Sequence, residues 1–152
     1  MTRRLRIAFF LLLVGVSTHI SAQSNEMIDE ILAEDTATVG SAAYIALSAG
    51  GLISDDASPD RAVIVAREAG WLAESIDASS PASFGQIAYL LMQSTEVNGG
   101  LMYRLIPGPR YAAREFVFRG WSPERKAPGE QVSGQFLVRV TGNFLENTEG
   151  SR

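Results

Sequence analysis

Two thirteen-residue stretches decide how this chain is read: Pro59–Trp71, PDRAVIVAREAGW, and Pro109–Trp121, PRYAAREFVFRGW. Each opens with proline, keeps alanine at its fourth position (Ala62, Ala112) and closes with Gly-Trp. Proline suits the first helical position, where its missing N–H would have been unpaired anyway. Gly70 and Gly120 suit the left-handed residue just past a helix end, and Trp71 and Trp121 can fold back on the last turn. The spacing predicts two equivalent short helices, which is the mark of an internal repeat.

A second segment recurs around each of these. Thr38-Val39-Gly40-Ser41-Ala42-Ala43-Tyr44 matches Ser83-Phe84-Gly85-Gln86-Ile87-Ala88-Tyr89, and more loosely Val132-Ser133-Gly134-Gln135-Phe136-Leu137-Val138. Ser83 and Gln86 have capping-box spacing. Thr38 is a cap without the box, and Val132 is not a cap. Ile87, Leu90, Leu91 and Phe136, Val140, Phe144 follow helical rather than alternating spacing. Gly40, Gly85 and Gly134 hold an equivalent first-turn position, although glycine costs about 1 kcal/mol against alanine inside a helix. Two explanations stand side by side: three helix starts packed around a pseudo-threefold axis where a β-carbon would clash, or easier entry of the chain into each helix.

With Met27–Glu34 (MIDEILAE) as a degenerate first helix, the chain reads as all-α: three helix pairs at Asn25–Ser48, Ser58–Ser94 and Gly108–Leu145. Gly51–Ile53 and Gly100–Tyr103 are expected to be extended segments or tight turns, with room for a tiny sheet. Residues 23–146 form a single domain, and 147–152 a polar, frayed tail.

Upstream, Arg3, Arg4 and Arg6 precede the uncharged run Ile7–Val16 and the small pair Ser21-Ala22. A basic start, a short apolar core and a small residue at the cut define a secretory signal peptide. The run is well short of the roughly 20 residues that span a bilayer. The expectation is a signal peptide over 1–22, cleaved after Ala22, with no transmembrane span afterwards and export to a bacterial periplasm or cell envelope. An uncleaved anchor is the rival reading. The chain has no cysteine, which removes disulfides and a lipid-modified N-terminal cysteine, and is compatible with a periplasm.

Charge is unevenly placed. After Ala22, ten basic residues face seventeen acidic ones, a net of −7. Residues 23–100 carry twelve acids and two arginines, while 101–152 carry eight basic residues and five acids. This is a poor balance for gripping phosphate backbones, so nucleic acid is not an expected partner. The only histidine, His19, lies within the predicted signal. Without histidine or cysteine beyond it, Ser–His and Cys–His nucleophilic catalysis and the usual zinc sites fall away. No cofactor is expected. Asp55, Asp56 and Asp60 read as favourable charge at the start of the Pro59 helix.

A short helix ending in glycine plus a bulky apolar residue, followed by a polar-capped helix and repeated three times at roughly 50 residues, resembles the S-layer homology (SLH) domain over about residues 25–145. The resemblance implies three helix pairs around a pseudo-threefold axis and attachment to a cell-wall glycan. The family's Thr-Arg-Ala-Glu tetrad corresponds to Thr38-Val39-Gly40-Ser41, Ser83-Phe84-Gly85-Gln86 and Val132-Ser133-Gly134-Gln135. Its ligand-recognising arginine is missing from all three, so no family binding residue is carried over.

The candidate ligand site read from the residues themselves is Tyr103, Arg104, Arg110, Tyr111 and Arg114. Arg110 and Arg114, four apart, share a helix face, and arginine forks with tyrosine faces suit a carboxylate or phosphate on a glycan. The plainer reading pairs these arginines with the acidic N-terminal half or lays them along the surface. Trp71 and Trp121 are expected to pack rather than stack on sugars. The functional expectation is a non-catalytic envelope module that binds a cell-wall glycan or an envelope protein. The alternatives are a purely structural assembly protein and, more remotely, a carboxylate-based glycan hydrolase.

Overall fold

The computed structural model describes residues 26–149. The predicted signal peptide and its cleavage site lie outside the described residues, as do the tail residues 150–152. Seven helices follow in order: α1 (26–32), α2 (Val39–Ala49), α3 (Pro59–Glu68), α4 (Phe84–Ser94), α5 (Leu101–Leu105), α6 (Pro109–Phe118) and α7 (Gly134–Glu149). The protein is all-α. Among the described residues there is no strand, only two isolated antiparallel bridges, Thr38 with Pro81 and Ser83 with Gln131.

Local chemistry sets the ends of α3 and α6. Pro59 and Pro109 stand in the first turn. At the other end Gly70 (φ 76°) and Gly120 (φ 72°) turn left-handed. The Trp71 N–H then donates to the Ala66 carbonyl and the Trp121 N–H to that of Phe116, both at 2.9 Å. These bonds take up carbonyls that the helix end leaves free. The two helices bury matching positions: Ala62, Val63 and Ala66 in α3, and Ala112, Ala113 and Phe116 in α6. Trp121 is buried against Phe116 and Phe144, and Trp71 is half-buried against the core.

The long helices start as their caps dictate. Thr38 Oγ1 accepts from the Ser41 N–H (3.1 Å), and Ser83 and Gln86 complete their reciprocal box. The cap of α7 is Ser133, whose Oγ accepts from the Phe136 N–H at 3.2 Å, while Val132 beside it is buried. α2 is buried from Val39 through Leu47, which explains its apolar character on every side. It packs on α3, α4 and α7, and α4 packs in turn on α6.

Three irregular segments lock the helix starts together. The N–H groups of Val39 and Gly40 donate to the Ser80 and Ala78 carbonyls, and that of Ala82 to Ala37. Phe84 and Gly85 donate to Glu130 and Pro128. Ala37 and Gly134 close the ring by donating to Val132 and Glu34. A β-carbon on Gly40 would stand 3.0 Å from Pro59 Cβ, and one on Gly85 2.9 Å from the Pro109 carbonyl oxygen. One on Gly134 would run into the Ile31 carbonyl oxygen. Close packing therefore explains the glycines. The atoms they would meet belong to Pro59 and Ala78, to Pro109 and Pro128, and to Ile31 and Glu34, not to one another.

Two expectations need correction. Gly100–Tyr103 is no extended segment, because residues 101–105 form α5. Leu, Met and Arg are good helix formers, and the helix stops at Ile106, which precedes Pro107 and is pushed out of the helical region (φ −136°, ψ 77°). The frayed tail expected from residue 147 is also helical as far as Glu149. Thr148 Oγ1 donates to the Phe144 carbonyl and Asn147 Nδ2 to that of Asn143. No described helix is long and apolar enough to cross a membrane.

Candidate functional site

α6 and the loop after it frame an open groove of about 650 Å³. Its walls include Met102 from α5, Tyr111, Arg114 and Phe118 from α6, and Arg125 and Lys126 from the loop. Helical spacing places Arg110, Arg114 and Phe118 at i, i+4 and i+8, so they form one stripe, and all three are exposed.

The five candidate residues divide. Tyr111 and Arg114 line the groove. Arg110 continues the Arg114 stripe one turn earlier. Arg104 is exposed on α5, outside the groove lining. Tyr103 is placed in the core and outside the groove: it is 6% exposed, its hydroxyl accepts from Gln93 Nε2 at 2.9 Å, and its ring packs edge-on to Tyr89. Burial pushes its phenol up to about 12, against the Gln93 bond that pulls it down, with Tyr89 adding to the rise. It anchors α5 to α4.

The plainer reading pairs the arginines with the acidic half or lays them along the surface, and Arg104, Arg110 and Arg114 are exposed. Among the described residues, Arg104, Arg110, Arg114 and Arg125 form no ion pair. The acids near the groove are already engaged. Glu115, on its wall, holds Arg119 at 3.0 Å, Glu124 holds Arg139 at 2.7 Å, and Glu130 holds Lys126 at 2.7 Å. The Lys126–Glu130 bond raises the lysine and lowers the carboxyl, which also accepts the Ala127 N–H. Of the cations in the groove lining, Arg114 and Arg125 have no ion pair among the described residues.

Arg125, Met102 and Phe118 escape sequence reasoning about single residues. Arg125 belongs to a loop that reaches α6 only through the tertiary fold. A signal for Phe118 does exist in the repeat. At the corresponding offset α3 carries Asp60, Ile64 and Glu68 where α6 carries Arg110, Arg114 and Phe118. Both stripes are exposed, so the fold makes no demand for a basic and apolar one.

Asp60 sits in the first turn of α3, as favourable charge there requires. The Asp55 backbone carbonyl accepts from the Tyr44 hydroxyl at 3.1 Å, and the Asp56 carboxylate accepts from the Ser54 hydroxyl. No group of three or more acidic side chains among the described residues is placed to hold a metal ion. Comparison with protein-family models, curated proteins and solved structures finds no match.

Proposed function

We propose that this chain is an exported, non-catalytic binding module, its helix pairs repeating in the manner of SLH domains, which attaches to an anionic component of the cell envelope. The observation carrying this reading is the open groove with Arg114 and Arg125 in its lining and Arg110 one helical turn before Arg114, none of the three with an acidic partner among the described residues. Arginine recognises carboxylate and phosphate oxygens by planar, forked hydrogen bonding. Support for the repeat comes from the matched ends of α3 and α6 and from the three bonded helix starts. A hydrolase with two working carboxylates fits less well, since the groove wall offers Glu115 alone and Arg119 already holds it.

The wall glycan is the ligand that the SLH resemblance implies. A purely protein-binding role is favoured by one feature, the exposed apolar side chains of α5 and Phe118. The test is retention of the purified protein by a washed envelope fraction, with wall sacculi and membranes assayed apart. Salt-sensitive retention, lost in Arg110→Ala/Arg114→Ala/Arg125→Ala, is the expected result. A wild-type protein retained by neither fraction removes the reading.

A further inference from the structure

Resting on that envelope-binding reading, we infer that its ligand is an anionic phospholipid surface, met by a ridge of apolar side chains on α5 and α6. Leu101 (70% exposed), Leu105 (66%) and Phe118 (87%) protrude, with Met102 and Ile106 about half exposed. Five large apolar side chains on one short helix, the residue that ends it and the neighbouring helix are unusual for a surface. Nothing in the fold calls for them. α3 has the same buried pattern as α6 and carries Glu68 in place of Phe118, and no helix stands between α2 and α3 where α5 stands between α4 and α6.

Charge selects the occupant. Arg104 falls between Leu101 and Leu105 on α5, Arg114 and Arg125 line the groove with Met102 and Phe118, and Arg110 stands one turn before Arg114, all four without ion pairs among the described residues. Apolar side chains that enter the acyl boundary, ringed by arginines that meet phosphate oxygens, are the pattern of interfacial attachment. Shape agrees. Of the five apolar residues only Met102 and Phe118 line the groove. Leu101, Leu105 and Ile106 are exposed outside its lining, and a fluid surface accepts exposed apolar side chains without a matching pocket. A sugar polymer would gain little from them. The −7 of residues 23–152 opposes general attraction to anionic lipid, so attachment has to be local.

The chain's lack of cysteine permits single reporters. Leu105→Cys, Phe118→Cys and Glu68→Cys are each labelled with a polarity-sensitive fluorophore and mixed with phosphatidylglycerol or phosphatidylcholine vesicles. The Glu68 position, on the equivalent stripe of α3, controls for attachment through any other part of the chain. Expected is a rise of about twofold or more in emission at 105 and 118 with phosphatidylglycerol alone, and none at 68. Arg110→Ala/Arg114→Ala/Arg125→Ala should weaken vesicle binding at least about tenfold. An equal response at 68, or an equal response to phosphatidylcholine, overturns the inference. Retention by sacculi with no vesicle response overturns it and leaves the envelope reading standing, while failure with both ligands removes both.

Discussion

Gly134, the first residue of α7, lies so close to the end of α1 that a β-carbon on it would collide with the Ile31 carbonyl oxygen. The obstacle is backbone and cannot swing aside as a flexible side chain would. Gly134→Ala is therefore expected to cost about 3 kcal/mol. Gly85→Ala, against the carbonyls of Pro109 and Pro128, should cost about 2 kcal/mol, and Gly40→Ala, against Pro59 and Ala78, about 1 kcal/mol. Gly142, exposed inside α7 with open space around it, supplies the contrast, since alanine there should stabilise by about 1 kcal/mol. Denaturant unfolding of the four variants gives the order. A Gly134→Ala protein as stable as wild type would remove the packing explanation.

Glu34 acts as a remote cap for α2. Its carboxylate accepts from the Thr38 backbone N–H at 3.1 Å and from the Ser41 hydroxyl at 2.6 Å. It thereby supplies the return half of the cap that Thr38-Val39-Gly40-Ser41 lacks. Hydrogen bonds to a charged group contribute roughly 1.5–3 kcal/mol each, and Glu34 is partly solvated, so Glu34→Ala should cost about 2 kcal/mol in urea unfolding. Glu34→Gln keeps one acceptor and should cost about half as much. Equal stability of all three proteins would show that the bonds contribute nothing net.

Glu96 closes α4 in the left-handed region (φ 56°), where Gly51 closes α2 (φ 68°). The bonds around it match: the Val97 N–H donates to the Met92 carbonyl at 3.1 Å, as the Leu52 N–H donates to that of Leu47 at 2.9 Å. A residue with a β-carbon pays roughly 1–2 kcal/mol for that conformation. Glu96→Gly relieves it at some cost in unfolded-chain entropy. A net gain of about 1 kcal/mol is expected, seen as a melting temperature raised by a few degrees. A lowered melting point would mean that Glu96 makes a contribution outweighing its backbone strain.

How far the sequence speaks depends on whether the deciding interaction is local. Pro59, Pro109, Gly70, Gly120 and the Ser83–Gln86 box are settled within a few residues of themselves, and each behaves as its spacing implies. Ser133 caps α7 although Val132 holds the position that corresponds to Thr38 and Ser83, because the cap follows the hydroxyl and not the register. α5 is too short for periodicity to register; its stop at Pro107 and its anchor through Tyr103 decide it. Tyr103 itself reads the same in sequence whether exposed or buried, since Gln93, the partner that marks it as core, sits ten residues earlier on another helix. Of the candidate groove, Tyr111 and Arg114 are legible as neighbours because they share α6, with Arg110 one turn earlier, while Arg125 joins them only when the chain folds. The stripe comparison between α3 and α6 extends this logic, since two helices that bury matching positions make a difference between their exposed faces informative.

The Tyr103 phenol provides a pH test of the α5 anchor. Its folded-state value, raised to about 12 by burial, lies above the ordinary tyrosine value of about 10. The folded chain therefore holds the proton more tightly than the unfolded one between those values. By linkage, stability from this group is fully present below about pH 10 and declines as pH rises towards about 12. Tyr103→Phe removes the titrating group, so its stability should fall less steeply across that window, although it loses the Gln93 bond, a cost of about 1 kcal/mol at neutral pH. Urea midpoints measured from pH 8 to 11.5 for both proteins check the difference in slope. Parallel slopes would mean that the Tyr103 hydroxyl is reached by solvent and that α5 is not held through it.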